Sequence, residues 1–153
     1  MHSRAILIAA LTLTLAAFAE QPEKKIRRAD LPAAVEKSVA AQSQGATVKR
    51  ISQEKEKGHT YYEAEMIFNG HSKDVLMDED GRVVEVEEQV AIDSLPDAVK
   101  AGLHSKAGTG QIVKVESLTK HNKLVAYEAI VQSNENKREI QIGPDGKPLD
   151  HAE

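Results

Sequence analysis

The chain has no cysteine and no tryptophan, and beyond residue 19 its only aromatics are Tyr61, Tyr62, Phe68 and Tyr127. The missing cysteines exclude disulfides, thiolate metal sites, thiol nucleophiles and a lipid-modified cysteine behind a leader, so stability rests on burial and hydrogen bonding alone. The shortage of aromatics leaves few anchors of the kind tight interfaces usually use. Charge of one sign is also missing: 20 Lys and Arg against 24 Asp and Glu leave a net −4, which argues against nonspecific binding to nucleic acid or anionic membranes. After residue 19 no apolar run approaches the roughly 20 residues a spanning helix needs.

What is present begins with a leader. Arg4 precedes an uncharged apolar run from Ala5 to Phe18, and Ala17 and Ala19 place small residues at −3 and −1 before Glu20. This describes a cleavable signal peptide over residues 1–19 and a product that is periplasmic or secreted, with no membrane insertion after cleavage. Residues 20–29 have mixed charge, with Lys24, Lys25, Arg27 and Arg28, and almost nothing to bury, so they read as a flexible tether.

The remainder is written twice. Leu31-Pro32-Ala33-Ala34-Val35 returns as Leu95-Pro96-Asp97-Ala98-Val99, Tyr62-Glu63-Ala64 as Tyr127-Glu128-Ala129, and Asp80-Gly81 as Asp145-Gly146. Three separated anchors in register predict a duplicated unit, with repeats over 30–89 and 90–153. Each opens with a helix: Asp30 and Ser94 are candidate caps, Pro32 and Pro96 fall in the first turn, and Ser94 with Asp97 matches a capping box. Leu31, Val35 and Val39, like Leu95, Val99 and Leu103, recur every fourth residue and form one narrow apolar face.

Period-two patterns follow each helix. They run near Val48 to Ile51 and Ile112 to Val115, then through Tyr62, Ala64, Met66 and Phe68 or Tyr127, Ala129 and Val131. Asn69-Gly70 and Ser133 to Asn136 are hairpin turns leading to Val75 and Met77 or Ile140 and Ile142. Val84 and Val86 extend a fourth strand, with Leu149 as its counterpart. The predicted fold class is therefore α+β, two tandem copies of a helix followed by a four-stranded antiparallel sheet, leaning on each other through Val90, Ala91 and Ile92.

Leu-Pro before an amphipathic helix, Tyr61-Tyr62-Glu63-Ala64-Glu65, and the run from Asp74 to Val84 resemble the exported PepSY-like domains grouped with the beta-lactamase inhibitory protein. The resemblance spans both repeats. It implies a noncatalytic module without cofactor that binds an envelope or extracellular protein, in some cases as an inhibitor of an extracytoplasmic enzyme. No inhibitory residue of that family is matched here, and its disulfides and aromatic-rich surface are missing.

Catalytic and metal motifs give way to simpler readings. Asp78, Asp80, Gly81 and Glu87 fit positions of a calcium loop, but Leu76 stands at position one and the alternation makes a hairpin. The six histidines are scattered, with His59 and His121 in similar loops, and no nucleophile elbow is present. Gly108-Thr109-Gly110 lacks the Lys of a phosphate loop and is a connector. One pattern persists. If Tyr62, Ala64 and Met66 face the helix, period two puts Tyr61, Glu63, Glu65 and Ile67 on the other sheet face, together with Asp74, Leu76, Val83, Glu85 and Glu87, and Glu128, Ile130 and Glu139 repeat the theme. Tyr61, Glu63, Glu65, Ile67, Glu128 and Ile130 are the candidate binding residues. The acidic face suits a protein partner or, as the alternative, a cationic ligand or metal ion held by a periplasmic sensor or carrier.

Overall fold

The computed structural model describes residues 21–134 and 136–153. The expected signal peptide lies outside the described residues, as does Glu135 of the last hairpin turn. Eight strands form one antiparallel sheet whose spatial order is their chain order. They are β1 (Gln21–Lys25), β2 (Ala46–Glu56), β3 (His59–Phe68), β4 (His71–Asp78), β5 (Val83–Gln89), β6 (Gln111–Lys120), β7 (Lys123–Ser133) and β8 (Asn136–Ile142). Helix α1 (Ala33–Gln42) links β1 to β2, and α2 (Asp97–Ala107) links β5 to β6. Among the described residues no helix is long and apolar enough to cross a membrane.

This corrects the expectation of two helix-plus-four-strand units. The element order is strand, helix and three strands, traversed twice within a single continuous sheet. The reason lies in the backbone of β5. As the edge of a separate sheet it would carry a row of unpaired N–H and C=O groups. Here it is bonded on both sides, to β4 and to β6 through a register running from Glu85↔Lys120 to Gln89↔Glu116. That ladder joins the halves, extended by the Val90 N–H donating to Val115 O at 2.9 Å. Val90 and Ile92, expected to bridge two copies, pack instead into the core under α2, and Ala91 is exposed. Residues 21–25, read as tether, pair with β2 as β1. Leu149 forms no strand, because Pro144 and Pro148 on either side of that turn lack the N–H a ladder requires.

Each helix covers its own core on one sheet face. Val35 and Val39 of α1 are fully buried against Ile51, Tyr62, Ala64, Met66, Val75 and Met77. Val99 and Leu103 of α2 are fully buried against Val115, Ala129, Val131, Ile140 and Ile142, with Leu95 beside them. The fourth-residue spacing thus performs as expected. The helix starts do not. Pro32 and Pro96 are the N-cap residues, without side-chain caps, and the preceding Leu31 and Leu95 are extended at ψ 145 and 151, as a following proline demands. Asp30 and Ser94 are engaged in the short 3-10 turns before the helices: Asp30 accepts two bonds from Arg27, and Ser94 Oγ donates to Ala91 O at 2.7 Å. Asp97 makes no capping box and pairs with Lys100 at 2.9 Å.

Asn69-Gly70 forms the expected turn, with φ of 51 and 84 at its two central residues, and Lys57-Gly58 does the same with 50 and 85. A register shift in β5 pairs Met77 with Val83 and Leu76 with Glu85. It turns Val83 toward the α1 core, where the unbroken alternation had placed it on the opposite face.

Candidate interaction surface

Directly opposed residues of antiparallel strands share a face, and the registers therefore lay out rows across the sheet on the side away from both helices. One row is Ser52, Glu63, Leu76, Glu85 and Lys120; the next is Arg50, Glu65, Asp74, Glu87, Leu118 and Ala126. A third runs Gln89, Glu116, Glu128 and Gln141. All four buried polar or charged residues among those described, Ser52, Glu116, Glu128 and Gln141, lie on this face. Leu118 and Ala126, at 2% and 0% exposure, are buried here too and belong to neither helix-covered core. The C-terminal residues reach the same side, where the Glu153 N–H donates to Gln141 Oε1 at 2.9 Å.

The face holds many carboxylates and few cations. Arg50 is held between Glu23 at 2.6 Å and Glu65 at 2.9 Å, Lys114 pairs with Glu116 at 2.7 Å, and Lys120 lies 3.7 Å from Glu85. Glu116 also accepts from Ser72 Oγ at 3.1 Å, and Gln141 Nε2 donates to Glu128 at 2.8 Å. Among the described residues no ion pair reaches Glu63, Asp74, Glu87 or Glu139. Carboxylate oxygens of Asp74, Glu87 and Glu116 lie within 4.8 Å of one another, and so do those of Glu23, Glu63 and Glu65.

Burial and like charge act together on these groups. Glu87 is pushed up to about 8, first by burial and then by Glu128, Glu116, Glu85 and Asp74. Glu63 rises to about 7 through burial and the charge of Asp74, and Asp74 to about 6 through burial and Glu116. Glu139 reaches about 7 through burial of its carboxyl and the adjacent Glu128. Glu85 is raised by burial, an effect Lys120 opposes. Chemically, such a surface holds protons near neutral pH or receives cationic groups.

The structure brings Tyr61, Glu63, Glu65 and Ile67 together on one face of β3, and Glu128 and Ile130 onto the same sheet face at β7. Four inter-strand steps separate the two sets, about 19 Å. Tyr61 is half-buried, its ring 6.5 Å from that of His59, and Glu128 is buried beneath Gln141 rather than displayed. Sequence reasoning missed Glu116, Leu118, Ala126 and Gln141. The signal for the first two was the alternation Val115-Glu116-Ser117-Leu118, which carries β6 five residues beyond Val115 to Lys120.

Solved structures share this arrangement of sheet and helices. A BLIP-like protein from Bacteroides fragilis matches at 21% identity and a TM-score of 0.58, over 78% of this chain and 83% of that one. The fold is BLIP-like. A candidate periplasmic protein from Bacteroides eggerthii matches at 20% identity and a TM-score of 0.64, over 78% of this chain and 86% of that one. A DUF2874 family protein from Bacteroides ovatus matches at 19% identity and 0.60, over 78% and 84%. No family model and no curated protein matches the sequence.

Proposed function

We infer that the protein is an exported, noncatalytic binding module whose acidic sheet face docks a basic surface of an envelope or extracellular protein. The observation that carries this reading is the set of carboxylates that no ion pair reaches among the described residues, Glu63, Asp74, Glu87 and Glu139, gathered on the helix-free face. A lysine- or arginine-bearing segment supplies the charge these groups lack, and complementary charge sets encounter rate and specificity. Its inhibitory form, in which the partner is an extracytoplasmic enzyme, rests on analogy with the BLIP-like fold. A second reading, capture of a small cation, is favoured by the closeness of Asp74, Glu87 and Glu116. Lys114 already stands on Glu116 at 2.7 Å, which puts an ammonium where such an ion would compete and ranks the protein partner first.

Fluorescent decalysine at alkaline pH tests the reading. Saturable binding that weakens steeply with salt is expected, and Glu63→Gln with Glu87→Gln should weaken it roughly tenfold or more. Asp93→Asn with Asp97→Asn, both exposed on the helix side, should leave it unchanged. Equal loss in the two variants would mean that the peptide reads net charge rather than this face. Stabilisation by calcium in preference to decalysine would favour the cation reading. Export has its own check: mass spectrometry of exported material should show a chain beginning at Glu20, and an intact Met1 would remove the signal-peptide assignment.

A further inference from the structure

The crowding of carboxyl groups where β4, β5 and β6 meet has a consequence beyond docking. Asp74 and Glu87 are directly opposed across strands, and an oxygen of each lies within 4.8 Å of the other and of one on Glu116, which Lys114 pairs at 2.7 Å. Carboxyl groups this close repel one another when all are charged, and burial adds to that cost, so the arrangement favours a proton among them. The fold therefore builds proton-holding positions into the surface it offers to a cation.

We propose that this seam makes docking proton-gated: a cationic partner is held at mildly alkaline pH and released on mild acidification. The inference rests on the docking reading above and adds its regulation. Around Glu87 stand Glu85 on its own strand, Asp74 on β4, Glu116 on β6 and Glu128 on β7, with Lys114 paired to Glu116 and Lys120 near Glu85. Farther along the face stand Glu63, Glu65 and Arg50, with Glu23 behind Arg50, and at the other end Glu139 and the Glu153 side chain, 4.0 Å from Lys120. The carboxyls raised to about 6, 7 and 8 are neutral below those values and charged above them. Acidification through this window thus removes negative charge from the face, while lysine side chains keep theirs. Histidines change charge in the same range, so His59, beside Tyr61, is replaced by Gln in the test background.

The experiment follows Glu and Asp carboxyl carbons by NMR through a pH titration of the partner-free protein, and decalysine affinity over the same range at constant ionic strength. Carboxyl midpoints between pH 6 and 8 are expected, with affinity falling roughly tenfold on acidification in wild type and His59→Gln alike. Glu87→Gln should remove much of that pH dependence. Decalysine binding of constant strength across the range would overturn the gate and leave docking intact. Failure of decalysine to bind at any pH, with the carboxyl midpoints in place, would overturn the docking reading and the gate that depends on it. A pH dependence lost in His59→Gln would transfer the effect to histidine and overturn the seam's role.

Discussion

Replacing Gly146 by Val is expected to cost several kcal/mol and lower the melting temperature by roughly 10 °C or more, and Gly81→Val should behave alike. Both glycines hold positive φ, 80 and 76, a region that L side chains enter at a cost of about 1–2 kcal/mol. The larger effect is steric. A Cβ at Gly146 would stand 2.2 Å from Ala98 O, and one at Gly81 would stand 2.4 Å from Ala34 O, both backbone atoms in the first turn of a helix. Neither helix can retreat, because Val35 and Val99 beside those carbonyls are fully buried. Ser38 Oγ donates to Gly81 O and ties the turn to α1. Gly58 and Gly70 have similar φ, 85 and 84, but nothing within 4 Å of an added Cβ. Gly58→Ala and Gly70→Ala should therefore cost only about 1 kcal/mol, the backbone contribution alone. Thermal denaturation of the four variants separates the two causes; equal losses at all four positions would show that the helix contacts are not what demands glycine.

The second large effect is a fall in stability as pH rises from about 5 to about 9. Glu87, Glu63 and Asp74 have folded-state pKa values above their ordinary ones, at about 8, 7 and 6, so the folded protein binds more protons than the unfolded chain over this window. The stability they contribute is complete below their unfolded pKa and is lost as pH climbs through the folded values. One pKa unit corresponds to about 1.4 kcal/mol, and the shift of Glu87 from 4.5 to about 8 makes it worth on the order of a few kcal/mol. Asp30, Glu36, Asp97 and Asp145 work in the opposite direction, since hydrogen bonds from Arg27, Arg28, Lys100 and the Lys147 N–H lower their pKa values. Their contribution is present at neutral pH and lost in acid, which places the optimum at about pH 5. Glu87→Gln should flatten the alkaline decline and raise the melting temperature at about pH 9. Calorimetry at constant ionic strength reads both changes, and a melting temperature that is flat or rising between pH 5 and 9 would contradict the assignment of buried charge to this face.

Much of this was legible in one dimension. Val35, Val39, Val99 and Leu103 announce the helix faces because four-residue spacing is a property of the helix itself. Tyr62, Ala64 and Met66 against Tyr61, Glu63 and Glu65 sort the two faces of β3 because the strand period is two, and Asn69-Gly70 and the Gly81 of Asp80-Gly81 mark turns because few residues tolerate their positive φ. Partnership between strands was not legible. Whether β5 closes a first sheet or opens a second half depends on which backbone groups it meets, and every non-proline residue carries the same N–H and C=O. The same applies to Gln21–Lys25, a stretch with no apolar alternation that becomes a strand because β2 offers an edge. A bulge at one residue, as between Val83 and Glu85, reverses the faces of the residues beyond it and leaves no mark in composition. The acidic character of the surface was therefore determined by the sequence. Its confluence at Asp74, Glu87 and Glu116, and the burial that makes these carboxyls hold protons, were decided by the tertiary structure, because desolvation and like-charge repulsion depend on distances that only the assembled sheet sets.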